Sequence, residues 1–360
     1  MKSKHTQARP ATSPRGTHLM LRYAFIAATL ACVVGAFAWT AGWFSQRLTP
    51  QRIVDGFEGM SGVHPGFRRN HAKGICVTGR FESNGAGAAL SKASVFKAGV
   101  YPVMGRLSAP GSDPTEADER AMVRSFALSF SLPDGEQWRT AMNSAPIFAV
   151  RTPEALYEQL AASERDARTG RLNPLKMDAF LKKHPETRAF HSYIETHPPA
   201  SGFDNATYYS INAFRFTDAN GNARYVRWSV VPETPYEPVR EDAARDADFL
   251  AHDLVSRLAR WPIRWHLMIS VAQPGDPVDD STRLWPAERD RERVDAGTVV
   301  IDHAQSQIDG PCRNISFDPL ILPAGIAPSS DPLLAARSST YAVSFNRRTR
   351  EEARFTAGRN

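Results

Sequence analysis

The sequence predicts an α+β fold: an antiparallel β-barrel or sheet with helices packed outside it, preceded by one apolar N-terminal helix. Three observations predict this class. Short β-type runs are bounded by Gly, Pro, Ser and Asp; helix-start signals lie between these runs; and the N-terminal region contains a long stretch without charged residues. Strands and helices do not alternate regularly, as they would in a parallel α/β sheet. Hydrophobic residues at 42% and charged residues at 23% are typical of a globular chain that buries a core.

The N-terminal tail, residues 1–22, is basic. It holds five basic residues and no acidic one, which leaves a net charge of about +1 out of the total of +6 for the rest of the chain. Nucleic-acid binding needs a basic face that neutralises phosphates. We therefore expect no nucleic-acid partner.

Residues 23–44 contain no charged side chain. As a helix rising about 1.5 Å per residue they are long enough to cross a hydrocarbon core of roughly 30 Å. The basic tail before them favours retention of the N-terminus in the cytoplasm. The sequence thus predicts a single-pass anchor in a bacterial inner membrane, with residues 50–360 in the periplasm. The alternative is a signal sequence cleaved after Ala36-Phe37-Ala38, which would release the protein into the periplasm.

Strand-and-turn patterns occur in two parts of the chain. Residues 74–131 contain several short β-type runs separated by turn residues. Residues 210–231 contain two alternating runs around Asn220-Gly221, a pair typical of a two-residue type I′ hairpin turn. Further strands are predicted over residues 263–271 and 298–301.

Four helices are predicted between and after these strands. Three of them begin with a capping residue followed by proline at the first helical position. These starts are Thr152-Pro153, Asn173-Pro174 and Asp331-Pro332. The fourth helix is predicted over residues 241–260. Residues 50–360 are predicted to form one domain.

Two of the three cysteines, Cys76 and Cys312, lie outside the apolar segment that contains Cys32. In an oxidising compartment such a pair can form a disulfide. The sequence does not supply the Cα separation that a bridge requires, so a disulfide and two buried thiols both remain open.

Several short motifs carry polar groups at or beside the predicted strands and the last helix. Arg337, Tyr341 and Arg348 follow one another at helical spacing and share one face of that helix. A guanidinium one turn from a tyrosine favours the phenolate form of the side chain. The other motifs are RRNHAKG at 68–74, GRLS at 105–108, NSAPIF at 143–148, FDP at 317–319 and LPAGI at 322–326.

Taken in order, these segments resemble the haem catalases, and more closely their short, exported branch, the catalase-related peroxidases. The HAKG run is similar to the start of the catalase core strand, and the last segments are similar to a FxP…PxGI…D…RxxxY pattern. The resemblance implies an eight-stranded antiparallel β-barrel with surrounding helices over residues 50–360. It also implies one haem b per chain.

The resemblance assigns four residues to the distal side of this haem. His71 is implied to be the acid-base group that takes a proton from hydrogen peroxide and returns it to the leaving oxygen. Asn143 would orient the peroxide, and Ser108 would hydrogen-bond the imidazole of His71. Phe148 falls where the family places an aromatic ring over the distal face, although a plain core phenylalanine fits equally well.

Five residues are assigned to the proximal side and to the haem carboxylates. Tyr341 is implied to be the iron ligand, with Arg337 as its charge partner. Arg68, Arg106 and Arg348 match the three arginines that hold the haem propionates, for which a guanidinium suits a carboxylate.

Two positions depart from the pattern. Met122 stands where typical catalases carry the channel aspartate of an RDxRGF run, and Asn70 replaces the apolar residue before the distal histidine. A wider, less polar approach to the haem is expected, in which organic donors reach the oxidised group. Asn70 is expected to contact His71. We expect no bound NADPH, and a monomer or small homo-oligomer instead of the interlocked catalase tetramer.

The expected function is a haem peroxidase that reduces hydrogen peroxide, with organic hydroperoxides as further substrates, at the expense of a small organic reductant, with minor catalase activity. Two alternatives remain open. One is an organic hydroperoxide isomerase or lyase, which is supported by the polar residue Asn70 beside His71. The other is a non-catalytic haem-binding protein of the same fold, against which His71, Asn143 and Ser108 argue, because binding alone needs no acid-base group.

Overall fold

The computed structural model describes residues 14–40, 47–166, 168–240, 246–286 and 291–357. The chain divides into two compact units, Met1–Thr49 and Pro50–Asn360. The predicted cytoplasmic tail up to residue 13 and the end of the predicted anchor, residues 41–44, lie outside the described residues.

The N-terminal unit contains one helix, α1 (Pro14–Thr40), among its described residues. Its stretch His18–Thr40 has a mean hydropathy of 1.9 and is long and apolar enough to cross a bilayer. The predicted apolar N-terminal helix is therefore confirmed as a helix. Its insertion in a membrane stays a prediction, because a signal sequence has the same length and composition.

The second unit is built on an antiparallel barrel. Eight strands close on themselves in the order β1–β2–β3–β4–β5–β7–β8–β9, with β9 pairing back to β1, while β6 and β10 extend the sheet from β7. The strands are β1 (Gly74–Ser83), β2 (Gly99–Ser108), β3 (Ser125–Ser131), β4 (Gln137–Asn143), β5 (Tyr208–Tyr209), β6 (Phe214–Thr217), β7 (Ala223–Pro232), β8 (Ile263–Val271), β9 (Arg293–Ser306) and β10 (Ile326–Pro328). The predicted eight-stranded barrel is confirmed.

Alternation along the strands fills the barrel interior. In β8 every second residue is buried, beginning at Ile263 and including Trp265. Trp265 and Trp138 are completely buried in the core. Large inward-facing side chains on a period of two are what a barrel with a packed interior requires.

One glycine lets two barrel strands approach closely. The β1–β9 register shifts at Thr78/Gly79. A Cβ added to Gly79 would lie 1.9 Å from the carbonyl oxygen of Val300. Only glycine fits at this irregularity.

Six further helices surround the barrel in the described part of this unit. They are α2 (Pro50–Ser61), α3 (Pro153–Ala162), α4 (Pro174–Lys183), α5 (Thr187–Thr196), α6 (Phe249–Leu258) and α7 (Pro332–Ala357). The three predicted proline starts are confirmed. Thr152 caps α3 and Asn173 caps α4. At the start of α7, the carboxylate of Asp331 accepts a hydrogen bond of 2.9 Å from the backbone N–H of Leu333.

The predicted helix over residues 241–260 is shorter than expected. Residues 241–245 lie outside the described residues, and α6 begins only at Phe249. Ahead of it, the carboxylate of Asp246 accepts a hydrogen bond from the backbone N–H of Asp248, which holds the chain in a turn. The apolar positions Phe249 and Leu254 are buried, as the pattern predicted.

The turn between β6 and β7 also differs from its prediction. The last strand pair is Thr217 with Ala223, so the loop has five residues rather than two. The carboxylate of Asp218 accepts hydrogen bonds of 2.8 Å from the backbone N–H groups of Asn220 and Asn222. Of the Asn-Gly pair only Gly221 has a positive φ. The side chain of Asp218 organises this loop, which sequence pairing rules did not anticipate.

The cysteine alternative is resolved in favour of the disulfide. Cys76 and Cys312 are bonded, with their Cα atoms 5.4 Å apart. Both are fully buried. The bond joins β1 to the segment that follows β9.

Candidate active site

One cavity of the second unit has a volume of about 360 Å³ and lies between the outer face of the barrel and helices α2, α3 and α7. Strand alternation creates its floor. Ser125 and Ala127 of β3 line the cavity, whereas Phe126 and Leu128 between and after them are buried in the barrel core. The small side chains on the outer face leave space for a ligand against the sheet.

Strand register places three polar residues in one row at the edge of this floor. Ser108 of β2 is paired with Ser125 of β3, and Ser125 is paired with Asn143 of β4. Each residue ends or begins its strand. Paired residues in an antiparallel sheet project from the same face, so all three side chains border the cavity.

His71 stands just before β1 in an unusual backbone conformation. Its φ is +55°, in the left-handed region that residues other than glycine seldom adopt. The side-chain oxygen of Asn70 accepts a hydrogen bond of 2.9 Å from the backbone N–H of His71. The expected contact of Asn70 with His71 is therefore present, but it supports the backbone and does not touch the ring.

The ring of His71 is held through Nδ1. This nitrogen lies 3.2 Å from the carbonyl oxygen of Ala109. A carbonyl oxygen only accepts hydrogen bonds, so Nδ1 carries the proton and Nε2 is left as the basic nitrogen. The carbonyl of Ala109 thus selects the tautomer in which Nε2 is unprotonated.

The pKa of His71 is lowered to about 4, first by burial and then by the nearby guanidinium of Arg106. Arg337 and Arg68 also lower this pKa, whereas the hydrogen bond with Ala109 raises it. The imidazole is consequently neutral at pH 7. A neutral, oriented imidazole facing a cavity has the properties of a general base.

The predicted hydrogen bond from Ser108 to His71 is not formed. Ser108 lines the cavity, but the hydroxyl near the ring is that of Ser125, whose Oγ lies 3.3 Å from Nδ1 of His71. The same Oγ donates a hydrogen bond of 2.6 Å to the side-chain oxygen of Asn143. Because Nδ1 points toward the carbonyl of Ala109, the ring lies closer to Ser125, the next residue in the row.

Tyr341 and Arg337 enter the cavity from α7. The guanidinium carbon of Arg337 lies 6.0 Å from the centre of the Tyr341 ring. Arg337 donates hydrogen bonds to the side-chain oxygen of Asn212 at 2.6 Å and to the carbonyl of Ala141 at 3.0 Å. Within the described residues, the hydroxyl of Tyr341 receives no hydrogen bond. The charge of Arg337 thus faces the aromatic ring, and the phenol oxygen is left for another partner.

Arg68, Arg106 and Arg348 also line the cavity. Arg68 donates to the carbonyls of Cys312 and Ile315, each at 2.9 Å, and Arg348 donates to the carbonyl of Arg313. Arg106 donates to the amide oxygen of Gln307 and to the carbonyl of Ala72. Across the described ranges, no carboxylate forms an ion pair with any of these three arginines.

Burial and mutual repulsion lower the pKa values of these arginines. Burial, followed by the charge of Arg348, lowers the pKa of Arg106 to about 9. Burial, followed by Arg106 and Arg348, lowers the pKa of Arg68. A guanidinium remains protonated at pH 7 under these conditions. Arg106 and Arg348 are buried, and the carboxylate of Glu352 offsets the lowered pKa of Arg68 and of Arg348 only in part. This crowding of like charges favours a ligand that carries negative charge.

Gly74 explains part of this arrangement. A Cβ added to Gly74 would lie 2.6 Å from the guanidinium carbon of Arg106 and 2.5 Å from the carbonyl oxygen of Leu107. The glycine of the HAKG run therefore leaves the space in which the Arg106 side chain reaches the cavity.

Phe148 and Met122 occupy different environments. Phe148 lines the cavity and packs on its other side against a small apolar cluster that includes Phe180. Met122 is exposed and is not among the residues that line the described cavity. The predicted effect of Met122 on the approach to the site therefore has no direct support at the cavity wall.

The sequence model of the catalase family matches residues 66–354 of this chain. The chain is 34% identical over 331 residues to the catalase-related peroxidase of Synechococcus elongatus, and the match covers 91% of this chain and 97% of that protein. It is 31% identical over 308 residues to the catalase-related peroxidase of Mycolicibacterium paratuberculosis, covering 85% and 96% respectively. This chain belongs to the catalase family.

Solved catalases share the fold. A fungal catalase superposes with a TM-score of 0.71 at 19% identity, covering 79% of this chain and 60% of the catalase. Catalase A from Saccharomyces cerevisiae gives a TM-score of 0.71 at 20% identity, covering 79% and 62%. This chain therefore spans about 60% of the length of these solved catalases while matching nearly the full length of the two catalase-related peroxidases.

The cavity of this catalase-family chain fits a haem. The phenol oxygen of Tyr341 is open to the cavity, and the buried Nε of Arg348 has no hydrogen-bond partner among the described residues. Arg68, Arg106 and Arg348 lack carboxylate partners that haem propionates would supply. A flat apolar ring with two carboxylates matches a cavity with small residues on its floor and guanidiniums at its wall.

Three groups of residues in or beside the cavity were not found from the sequence. Gln307 fixes Arg106, and Ser125 contacts His71. The apolar wall from α2 and α3 comprises Ile53, Val54, Phe57, Met60, Leu156 and Leu160. Ser125 falls where the RDxRGF run of catalases has glycine, so the resemblance gave no reason to select it. Its position at the start of an alternating strand, opposite Asn143, was the available signal.

Proposed function

We propose that this chain is a haem b peroxidase that reduces hydrogen peroxide with electrons from a small organic donor and has minor catalase activity. One observation carries the proposal: a single cavity brings together the neutral His71, Asn143, the open phenol of Tyr341 and three arginines without carboxylate partners. Catalase-related peroxidases that align over most of this chain support the same reading.

The residues divide into holding and reacting roles. Tyr341 would bind the haem iron, and Arg68, Arg106 and Arg348 would bind its propionates. Haem, once bound, supplies the iron at which peroxide is reduced and which donors then return to its resting state. Residues of α7, together with Arg68 and Arg106, would thus hold the cofactor.

His71 and Asn143 act on the peroxide. Nε2 of His71 takes a proton from hydrogen peroxide and later returns it to the departing oxygen. The side-chain oxygen of Asn143 is occupied by Ser125, so its Nδ2 faces the cavity and donates a hydrogen bond to the peroxide. These two residues provide proton transfer and orientation.

The apolar wall favours an organic reductant. Side chains from α2 and α3, including Phe57 and Leu156, border the same cavity as His71. A small aromatic or aliphatic donor would bury apolar surface there. The same wall supports the second candidate, an isomerase or lyase of organic hydroperoxides, because such a substrate also has an apolar chain.

The test uses purified full-length protein loaded with haem. Ferric haem absorption in the visible spectrum, followed by peroxide-dependent oxidation of phenolic or amine donors that exceeds oxygen release on the same preparation, is expected. Vigorous oxygen release with negligible donor oxidation would assign a true catalase instead. Product analysis with a fatty-acid hydroperoxide would identify the isomerase or lyase by rearranged products formed without a donor.

We also propose that α1 anchors the protein in a bacterial inner membrane, with the haem unit in the periplasm. Two observations support this: His18–Thr40 is long and apolar enough to span, and Cys76 and Cys312 form a disulfide, which persists in oxidising compartments. Protease added to spheroplasts should digest the haem unit and spare a short N-terminal fragment. Protection of the whole chain would contradict this placement, and release of soluble protein would indicate a cleaved signal sequence.

A further inference from the structure

Ser125 is the only described side chain within hydrogen-bond distance of both His71 and Asn143. Its Oγ lies 3.3 Å from Nδ1 of His71 and 2.6 Å from the side-chain oxygen of Asn143. The cross-strand pairing of Ser125 with Asn143 fixes this closeness through the backbone.

The donors and acceptors in this row have only one consistent direction. Nδ1 of His71 carries a proton because it also faces the carbonyl of Ala109. That N–H therefore donates to the Oγ of Ser125, and the single hydroxyl proton of Ser125 is left to donate to Asn143. The chain of hydrogen bonds runs from the His71 ring to the Asn143 amide.

We propose that Ser125 is a positioning residue that joins His71 and Asn143 into one hydrogen-bonded unit. It holds the Asn143 oxygen away from the ligand, so that the amide N–H₂ faces the cavity, and it steadies the His71 ring with Nε2 as the basic nitrogen. This inference rests on the proposed function, because it requires a ligand beside these two residues. Ser125 itself touches no reacting atom.

The consequence is a dependence of ligand binding on Ser125 that acts through Asn143. Without the hydroxyl, the Asn143 amide loses the hydrogen bond that distinguishes its oxygen from its nitrogen. The amide then presents its acceptor to the cavity for part of the time. A ligand that needs a donor from Asn143 and a base from His71 should bind more slowly.

Hydrogen cyanide is a suitable probe for the haem-loaded, full-length protein. It is neutral at pH 7, and its proton must be accepted by a base before the anion binds. Stopped-flow absorbance gives its association rate, and the haem spectrum reports separately whether each variant has loaded its cofactor. The readout is a binding rate and does not depend on turnover.

Ser125→Ala should slow cyanide association about five-fold, the scale of one net hydrogen bond. Ser129→Ala is the matched control, since Ser129 is buried on the same strand and does not line the cavity. It should leave the rate unchanged. If Ser125→Ala loads haem poorly, Ser125→Cys, which keeps a side chain of similar shape with a weak S–H donor, is measured in its place.

A double-mutant cycle with Asn143→Ala decides the inference. Once Asn143 is removed, the additional effect of Ser125→Ala should fall below about two-fold, because the two residues act as one unit. An equal effect of Ser125→Ala with and without Asn143 would overturn the proposal, as would a rate equal to wild type. A wild-type protein that loads no haem would overturn the proposed function itself, and with it this inference.

Discussion

The cavity has two walls that the fold builds in different ways. On the barrel wall, Ser108, Ser125 and Asn143 are successive partners across three strands, so backbone hydrogen bonds determine their spacing. On the opposite wall, Tyr341 and Arg348 come from one helix, α7, whose position depends on contacts with distant parts of the chain.

The contacts of the arginines show this difference. Arg68 donates to the carbonyl of Cys312, 244 residues away, and Arg348 donates to the carbonyl of Arg313 in the same segment. This segment is tied to β1 by the Cys76–Cys312 disulfide. Under the proposed function, the barrel wall would carry out the chemistry, whereas α7 and the segment at Cys312 would hold the cofactor. Substitutions on the two walls should therefore fail in different ways.

Replacing Tyr341 should have the largest effect. Tyr341→Phe removes the phenol oxygen that is open to the cavity and keeps the ring beneath Arg337. We expect the variant to lose most of its haem, because the arginines alone bind only the carboxylate edge. Haem content per chain, measured by absorbance after purification, checks this, with the exposed Tyr236 as Tyr236→Phe for the control. An unchanged ferric spectrum in Tyr341→Phe would remove Tyr341 from the role of ligand.

Replacing His71 should give the opposite pattern. His71→Ala is expected to keep its haem but to slow peroxide-driven donor oxidation by about 100-fold or more, the usual contribution of a general acid-base group. The exposed His303 on β9 provides the control, His303→Ala. Stopped-flow kinetics with hydrogen peroxide measures the rate. A rate near wild type would show that another group moves the proton, and loss of haem would contradict the division between the two walls.

The sequence was sufficient for features that depend on local chemistry. The capped starts of α3, α4 and α7 follow from patterns within short segments. The closed barrel and the entry of His71, Asn143 and Tyr341 into one cavity were implied by the family resemblance. Helix capping and strand alternation are determined by neighbouring residues, so a single sequence carries them.

Contacts between distant residues that the resemblance did not supply were not predicted. Whether Cys76 meets Cys312 depends on how the chain folds over a sequence separation of 236 residues. Which hydroxyl approaches His71 depends on the left-handed φ of that residue and on the position of the Ala109 carbonyl. The loop at Asp218 shows the same limit on a smaller scale, since one carboxylate replaced the expected Asn-Gly turn.

Removing the disulfide should affect the wall formed by α7 and the segment at Cys312. The double substitution Cys76→Ala and Cys312→Ala should lower the free energy of unfolding by about 2–5 kcal/mol, because the closed loop is long. It should also weaken haem binding, since the carbonyls that hold Arg68 and Arg348 belong to the released segment. Urea unfolding and haem titration measure the two effects. Full haem affinity in the double variant would show that the arginines are held without the bridge.

The smallest expected effect is on the pH dependence of the peroxide reaction. The folded-state pKa of His71, about 4, lies below the value of about 6.5 of a free histidine. Nε2 therefore stays basic, and kcat/KM for peroxide should be nearly constant between about pH 8 and pH 5 and fall only as His71 takes up a proton near pH 4. The stability gained by keeping His71 neutral should likewise be present above about pH 6.5 and be lost as the pH falls toward 4.

After burial, the guanidiniums that lower the pKa of His71 are those of Arg106, Arg337 and Arg68, and Arg337 belongs to α7. The position of the acid limb thus reports mainly the burial of the ring and the charge of Arg106, with a smaller contribution from Arg337 of α7. A limb centred near pH 6.5 would mean that neither burial nor the arginine charges lower the pKa of His71.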